Sequence, residues 1–368
     1  MQIDFVITEL FVGGAERCLT ELALGMADSG DKVRVFSIGS LPKDEQSGLV
    51  NRLREAGIEI ASGEARTTLQ AFTAYRRLKK WLTNSEADIC QTFLHHANVL
   101  GTLAAKSAGL RNRVAGIRVA ESRTLRCQLE RYALRSARSV ICVSTAVQEY
   151  AASQLGCPQS KLMVIPNAVD ASHFINAPEF SWPKIGWPED SVVTLFVGRL
   201  HQQKGLELLQ AEIDRLAPSN SNRRLLLVGD GPQRDALQEW SSRYGQNRVQ
   251  LLGWRSDIAP LMASSRLVIL PSRYEGMPNV ILEAMAAGKP VVCSRIEGSR
   301  ELLQHDWEEQ TFPIGDSNRM AVLANRYLDD SSIAHETGAI NQRFIQKHHV
   351  ISAMVEKYRD HYRTMLKT

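Results

Sequence analysis

The stretch Leu267–Val292, LVILPSRYEGMPNVILEAMAAGKPVV, decides the architecture of this chain. It opens with the apolar run Leu267–Leu270 and breaks at Pro271. A polar loop with Glu275 and Gly276 follows, and a helical pattern begins near Asn279. Gly288 and Pro290 end that pattern, because glycine suits the left-handed turn after a helix and proline cannot extend one. Val291–Cys293 is a second apolar run. A strand, a helix and a strand in so short a compass make a parallel βαβ unit. The helix is apolar almost all round (Val280, Ile281, Leu282, Ala284, Met285, Ala286), which predicts burial. Glu283 sits within it all the same. A carboxylate there needs hydrogen bonds or a positive partner, which ligand hydroxyls or a structural arginine would supply. Gly276, Met277, Pro278 and Asn279 lie at the helix N-terminus beside Glu275, where main-chain amides favour a phosphate or a sugar.

Outward from this unit the same alternation recurs. Strand-like runs precede it at Val192–Val197, Arg224–Val228 and Val249–Leu252, with helical spacing between them. Earlier still come Ile3–Ile7, Val33–Ile38, Ile58–Ala61, Asp88–Phe93, Val114–Ile117 and Val140–Val143. Between the two sets, Pro166 to Pro188 holds four prolines and two tryptophans without a period, the mark of an interdomain linker. The expected architecture is α/β, with two Rossmann-like doubly wound domains. The first spans residues 1–170 and is joined by a C-terminal helix at about 350–368; the second, with the linker, spans 171–349. Ile351, Met354, Val355, Tyr358 and Tyr362 in that last helix share one face and predict its burial. In such sheets ligands bind beyond the carboxyl ends of the strands.

Composition sets the outer bounds. At 368 residues, with 44% hydrophobic and 23% charged residues, the chain suits two soluble globular domains. The formal net charge of +4 resides in the first 170 residues, which hold 21 basic against 17 acidic side chains. Eight arginines crowd residues 111–138, with only Glu121 and Glu130 among them. Such a stretch is either a basic face for a phosphorylated acceptor or anionic membrane, or a solvated helix face. Six scattered cysteines with no C-x-x-C pair suit a reduced, cytosolic chain. Asp4 and Glu9 interrupt any signal-like start, and no run has the ~20 apolar residues of a spanning helix. Nothing points to nucleic acid.

Polar clusters recur at the strand ends. Thr8–Glu16, TELFVGGAE, joins a strand to a helix through Gly13 and Gly14. Those glycines permit close backbone approach to a ligand, although the spacing differs from the dinucleotide fingerprint. Glu16 there would at least complement the helix dipole. In VTLFVGRLHQQKGLELL, Arg199 closes a strand and Lys204 opens the next helix, a pair suited to a diphosphate. Gly253 and Trp254 end another strand, where Trp254 either meets a nucleobase or packs. No Asp-x-Asp pair stands at a strand end, so no metal or other cofactor is expected.

Together these residues resemble the retaining GT-B glycosyltransferases of family four, the glycosyltransferases group 1. The resemblance rests on GGAE at 13–16, ICVS at 141–144, IPNAVD at 165–170, VGRL…KG at 197–205, VGDGP at 228–232, LGW at 252–254 and EGMPNVILEA at 275–284. It implies a central cleft between an acceptor-side first domain and a nucleotide-sugar-binding second one, and a final helix crossing back to the first. It implies that Glu275 meets donor-sugar hydroxyls, Glu283 the ribose, and Arg199 with Lys204 the diphosphate. The donor site would comprise Gly13, Gly14, Arg199, Lys204, Gly253, Trp254, Glu275, Gly276, Met277, Pro278, Asn279 and Glu283, with Arg199, Lys204 and Glu275 catalytic. One departure is plain: where relatives carry a histidine, in VAGIRVAES, this chain has Arg118 and Glu121. His95 and His96 are the nearest histidines in sequence. Glu16, His96, Arg118 and Glu121 are therefore the acceptor-side candidates.

The expected activity is transfer of a hexose or N-acetylhexosamine from a nucleotide-diphosphate sugar, UDP before GDP, to a hydroxyl. The acceptor would be a saccharide or lipid-linked glycan in surface polysaccharide synthesis, handled in the cytoplasm at the inner face of the membrane. Two other readings fit the same residues. One is a nucleotide-sugar 2-epimerase, which would turn over donor without acceptor. The other is a nucleotide-sugar-binding subunit without catalysis.

Overall fold

The structure is a computed structural model that describes residues 1–120, 124–245 and 247–367, leaving aside the side chains of 44, 45, 68, 124 and 125. The chain forms two compact units, Met1–Ala168 with Ile351–Thr368, and Val169–Val350. The first holds β1 (Gln2–Ile7), β2 (Lys32–Gly39), β3 (Glu59–Ala65), β4 (Ile89–Phe93), β5 (Arg113–Ile117), β6 (Ser139–Cys142) and β7 (Leu162–Val164). The second holds β8 (Val192–Val197), β9 (Arg223–Val228), β10 (Val249–Leu251), β11 (Leu267–Leu270), β12 (Val291–Ser294) and β13 (Thr311–Phe312). The sheets run in the orders 3-2-1-4-5-6-7 and 10-9-8-11-12-13. Both units are Rossmann-like parallel α/β domains, as the alternation required. Two strands escaped the sequence reading: β7 has three residues and β13 two, at the sheet edges, too short for an apolar run to stand out.

The central strands read as continuous apolar runs because both faces are covered. From β1, Ile3, Phe5 and Ile7 pack with Leu19, Leu22 and Met26 of the helix Gly14–Asp28. Val6 points the other way, toward Leu78 and Leu82 of the helix Ala71–Thr83 and Ala104 of the helix His95–Ser107. The one charge in β1 is Asp4, fully buried and held by Arg34 through bonds of 2.9 and 2.8 Å. That bidentate pairing is what makes a buried carboxylate tolerable. The last helix, Ile351–Lys367, lays Met354, Val355, Tyr358, Tyr362 and Met365 into the same core as β1. Its Tyr362 hydroxyl donates to Gln91 of β4.

In the second unit, β11 is buried along its whole length, flanked by β8 and β12. The proline-rich stretch read as a linker is packed here. Phe180, Trp182 and Trp187 are buried, their rings 5.3 and 6.0 Å apart in sequence, and the Phe180 amide donates to Ser264 Oγ at 2.6 Å. Aperiodic apolar side chains were thus anchors rather than spacers. Val169 and Val350, where the chain enters and leaves this unit, form a parallel bridge.

The arginine-rich stretch is not one solvated face. Arg113 donates to the carbonyls of Leu110 and Ser136, Arg131 to that of Gln154, and Arg138 to Asn112. Arg118 is buried. Helix and loop ends leave carbonyls without main-chain donors, and Arg113 and Arg131 supply them.

Candidate active site

The loops beyond β8 and β11 lie against one another, and glycine is the reason they can. Gly205, at φ +64°, follows a single tight turn, Gln202–Lys204; a Cβ on it would stand 2.1 Å from the carbonyl oxygen of Pro271. Gln203 locks the same contact: its Nε2 donates to Tyr274 O at 2.9 Å, and its carbonyl accepts from Arg273 N at 2.8 Å. From the other side Gly298, at φ +74°, lets the chain pass where a Cβ would meet Gly276 O at 2.4 Å. Both contacts join residues far apart in sequence.

This clamp brings two predicted residues into direct contact. The Lys204 ammonium donates to Glu275 Oε1 at 2.5 Å, and Ser272 Oγ donates to the same oxygen at 3.0 Å. Glu275 Oε2 has no partner among the described residues and is left to accept from a ligand. The Glu275 amide is itself taken by Glu297 Oε2 at 3.3 Å. Behind the loop, Gly276, Met277 and Pro278 are buried, and the helix Asn279–Ala286 starts with no side-chain cap. The Ile281 amide of its first turn donates to Pro278 O at 3.1 Å. Glu283, only 6% exposed, stands four residues after Asn279 and so on the same side of the helix.

Arg199, the other cation of the expected clamp, is exposed and has no side-chain partner among the described residues. Lys204 is thus anchored while Arg199 is unengaged. At the end of β10, Gly253 accepts from Gly229 N at 2.8 Å, and Trp254 is half-buried. Asp230, read as a turn residue, pairs with Arg234 at 3.0 Å. Ser272, Gly298 and Glu297 belong to this site and were not singled out in the sequence, whereas Gly205 closes the motif VGRL…KG. The glycines carried a signal in principle, since each interrupts a helical or turn pattern.

The first unit arranges its candidates differently. Gly13 is extended (φ −145°) and precedes the helix Gly14–Asp28. The Glu16 carboxylate folds back so closely that a Cβ on Gly13 would lie 2.3 Å from its Oε2. The turn is therefore filled by a side chain of this protein and is not an open anion nest. Glu16 is 7% exposed, and burial pushes its pKa up to about 7, with its own main-chain bond and Arg118 opposing and Glu9 reinforcing the rise.

Arg118, expected on the acceptor side, is a structural cation. It is 6% exposed, donates to Asn167 and lies 5.6 Å from the Phe93 ring centre. Packing against the segment that carries Asn167 withdrew it from the surface. Glu121 lies outside the described residues. Of the two histidines, His96 is exposed, while His95 Nδ1 lies 3.2 Å from Glu130 Oε2. Glu130 is buried and also accepts from Asn98 at 2.8 Å. Leu94, just before the pair, has φ +74°, a conformation that costs a non-glycine residue about 1–3 kcal/mol.

Among the described residues no group of His, Cys, Asp and Glu could hold a metal ion. No helix among them is long and apolar enough to cross a membrane.

Residues 12–173 match the model of Glycosyltransferase Family 4, and residues 191–330 that of Glycosyl transferases group 1. The chain is 28% identical to the UDP-Gal:alpha-D-GlcNAc-diphosphoundecaprenol alpha-1,3-galactosyltransferase of Escherichia coli, over 78% of each chain. It is 26% identical to the phosphatidyl-myo-inositol mannosyltransferase of Mycolicibacterium smegmatis, over 87% of this chain and 82% of that one. Among solved structures, Anabaena HepE in complex with UDP and glucose superposes with a TM-score of 0.85 at 24% identity, covering 99% of this chain and 100% of that one. The sucrose-phosphate synthase of Thermosynechococcus elongatus superposes with 0.83 at 21% identity over the whole of both chains. Both likenesses place the fold in the GT-B group.

Proposed function

The chain belongs to family 4 of the glycosyltransferases, the glycosyl transferases group 1, and from that premise we propose its reaction. It is an enzyme that uses nucleotide sugars in glycan or lipid-linked glycan synthesis. In our reading a hexose or N-acetylhexosamine moves from a UDP-sugar, rather than a GDP-sugar, to a hydroxyl of a lipid-linked or saccharide acceptor. Configuration at the anomeric carbon is retained. The Escherichia coli relative uses a UDP-sugar and a diphosphate-linked lipid acceptor, and HepE was captured with UDP, which supports this choice.

The observation that carries the reading is the 2.5 Å contact between Lys204 and Glu275 at the start of the Glu283 helix. It fixes a cation, a carboxylate with one unclaimed oxygen and a helix N-terminus in one place. The ammonium and Arg199 would meet the charge that grows on the departing diphosphate. Glu275 Oε2 would accept from a donor-sugar hydroxyl, and Glu283 would accept from the ribose. As the anomeric carbon–oxygen bond to phosphate breaks, the acceptor oxygen bonds to that carbon from the same face. Its proton passes to the phosphate oxygen that leaves. Two cations take the part a metal plays elsewhere, so no cofactor is required. In this reading the enzyme works in the cytoplasm, at the inner face of the membrane.

The test is a panel of UDP- and GDP-sugars with a lipid-linked saccharide acceptor, scored by mass spectrometry of released nucleotide and by NMR of the product linkage. UDP release that depends on acceptor, with an α-linked product from an α-donor, is expected. Equal turnover without acceptor, or an inverted linkage, overturns the reading.

A further inference from the structure

We propose that Glu297 selects the donor sugar: beside Glu275 it gives the sugar end of the donor site a second carboxylate, which accepts from a neutral hexose and repels a hexuronic acid. The inference rests on the glycosyl-transfer reading above and names a residue which that reading did not use. No sequence motif singled Glu297 out, since it stands beyond the Glu283 helix, in the turn that follows β12.

Main-chain contacts fix its place on both sides. Before it, Arg295 N donates to Phe312 O and Ile296 N to Ser294 O, each at 2.8 Å. After it, Ser299 closes the turn on Ile296 O, through its hydroxyl at 2.7 Å and its amide at 3.2 Å. Gly298 lies hard against the Glu275 loop: a Cβ there would stand 2.4 Å from Gly276 O and 2.9 Å from Met277 Cα. From this turn the half-buried Glu297 side chain accepts from the Glu275 amide through Oε2, at 3.3 Å. Glu297 Oε1 has no partner among the described residues. Two carboxylates thus stand side by side, each with an oxygen left to accept, and the hydroxyls of a sugar ring are donors of the matching kind.

Charge decides which sugars fit. The Lys204 ammonium is already paired with Glu275 at 2.5 Å. Neighbouring cations are turned elsewhere: Arg273 pairs with Glu207 at 2.7 Å, and Arg295 with Glu308. Arg295 and Arg300 lie 5.7 and 6.0 Å from the Trp307 ring centre. Arg199 is committed to the diphosphate in the reading above. None of these pairs with Glu297, so one ammonium faces two carboxylates. A carboxylate on the sugar would meet a like charge that nothing offsets. At an effective dielectric of about 20, two like charges about 6 Å apart weaken binding about a hundredfold. A surface that accepts from hydroxyls and opposes carboxylates therefore separates a hexose from its uronic acid, which differ at a single carbon.

The test is calorimetric and needs no acceptor. UDP, UDP-glucose, UDP-glucuronate, UDP-galactose and UDP-galacturonate are titrated into the full chain and into its Glu297→Gln and Glu297→Asp variants. The wild type should bind the hexose of at least one pair about a hundredfold more tightly than its uronate. Glu297→Gln should shrink that ratio by about tenfold or more, chiefly through tighter uronate binding, while Glu297→Asp, which keeps the charge, should retain it. Loss of the ratio in both variants alike overturns the role of the charge. A merely structural Glu297 would weaken UDP and every UDP-sugar together, so a fall in UDP affinity of more than about threefold in Glu297→Gln also overturns the assignment. Equal binding of hexose and uronate by the wild type, or an unchanged ratio in Glu297→Gln, overturns selection by Glu297 and leaves the glycosyl-transfer reading standing. A wild type that binds no UDP overturns that reading, and this inference falls with it.

Discussion

At the ends of β8 and β11 the loops touch through their main chains, Gly205 against Pro271 and Gly298 against Gly276, and Lys204 and Glu275 pair between them while Arg199 is unengaged. At the ends of β1, β2 and β3 the loops stand apart around a cavity whose cations reach into it with hardly a partner. The same type of sheet supports both. A nucleotide diphosphate is a fixed shape, and a site packed to receive it needs little adjustment on binding. Acceptors differ between enzymes of one family, and exposed side chains on longer loops can change without disturbing a core.

The contrast can be broken most forcefully at Lys204. Lys204→Ala should lower kcat by about 10²–10³-fold, the usual cost of losing one preorganised charge in a transition state. Circular dichroism and melting should show the fold intact, and kinetics within threefold of wild type would remove Lys204 from the mechanism. Next comes Gly298→Ala, which forces a Cβ to within 2.4 Å of Gly276 O in a left-handed backbone. It should destabilise the second unit by about 3 kcal/mol, read by urea unfolding. Lys43→Ala, on the open side, should leave stability within about 0.5 kcal/mol. If both substitutions cost the same, the two sets of loops are not built on different terms.

Glu16 gives a smaller effect with a definite sign. Its folded pKa of about 7 lies above the ordinary 4.5, so the native state binds the proton more tightly than the unfolded chain. Stability from this group is full below pH 4.5 and is lost as pH rises through 7. Glu16→Gln should therefore gain about 2 kcal/mol at pH 8 and nothing at pH 4, measured as the difference between two denaturation series. An equal gain at both pH values would mean that packing, not ionisation, governs the site. Smallest is Glu283→Gln, which should weaken UDP binding about tenfold in calorimetry; an unaltered dissociation constant removes the ribose role.

How much could be read in advance follows the same divide. Strand, loop and helix around Glu275 and Glu283 are contiguous, so local periodicity and turn residues disclosed them. Gly298 serves that loop from 22 residues away, and no local pattern announces such a contact. Arg118 looked like a strand-end cation until folding brought Asn167, 49 residues on, against it. Glu16 looked like a dipole partner, and only the three-dimensional course of Gly13 reveals that its carboxylate fills the turn. The aromatic residues 180, 182 and 187 read as linker because their partners, among them Ser264, lie far along the chain. The cavity at the ends of β1, β2 and β3 was invisible for another reason. Its cations come from separate elements, Lys43 and Arg66 from loops and Arg54 from the helix Gly48–Glu55, with no spacing that recurs.

The helix Ile351–Lys367 bears on how the protein is made. Met354, Val355, Tyr358, Tyr362 and Met365 complete a core whose other buried residues all precede 169. During translation those earlier residues leave the ribosome first, yet they must wait for the whole second unit to emerge before their last helix arrives. The half that is synthesised first is thus the half that finishes folding last, and it stays exposed to chaperones and proteases in the interval.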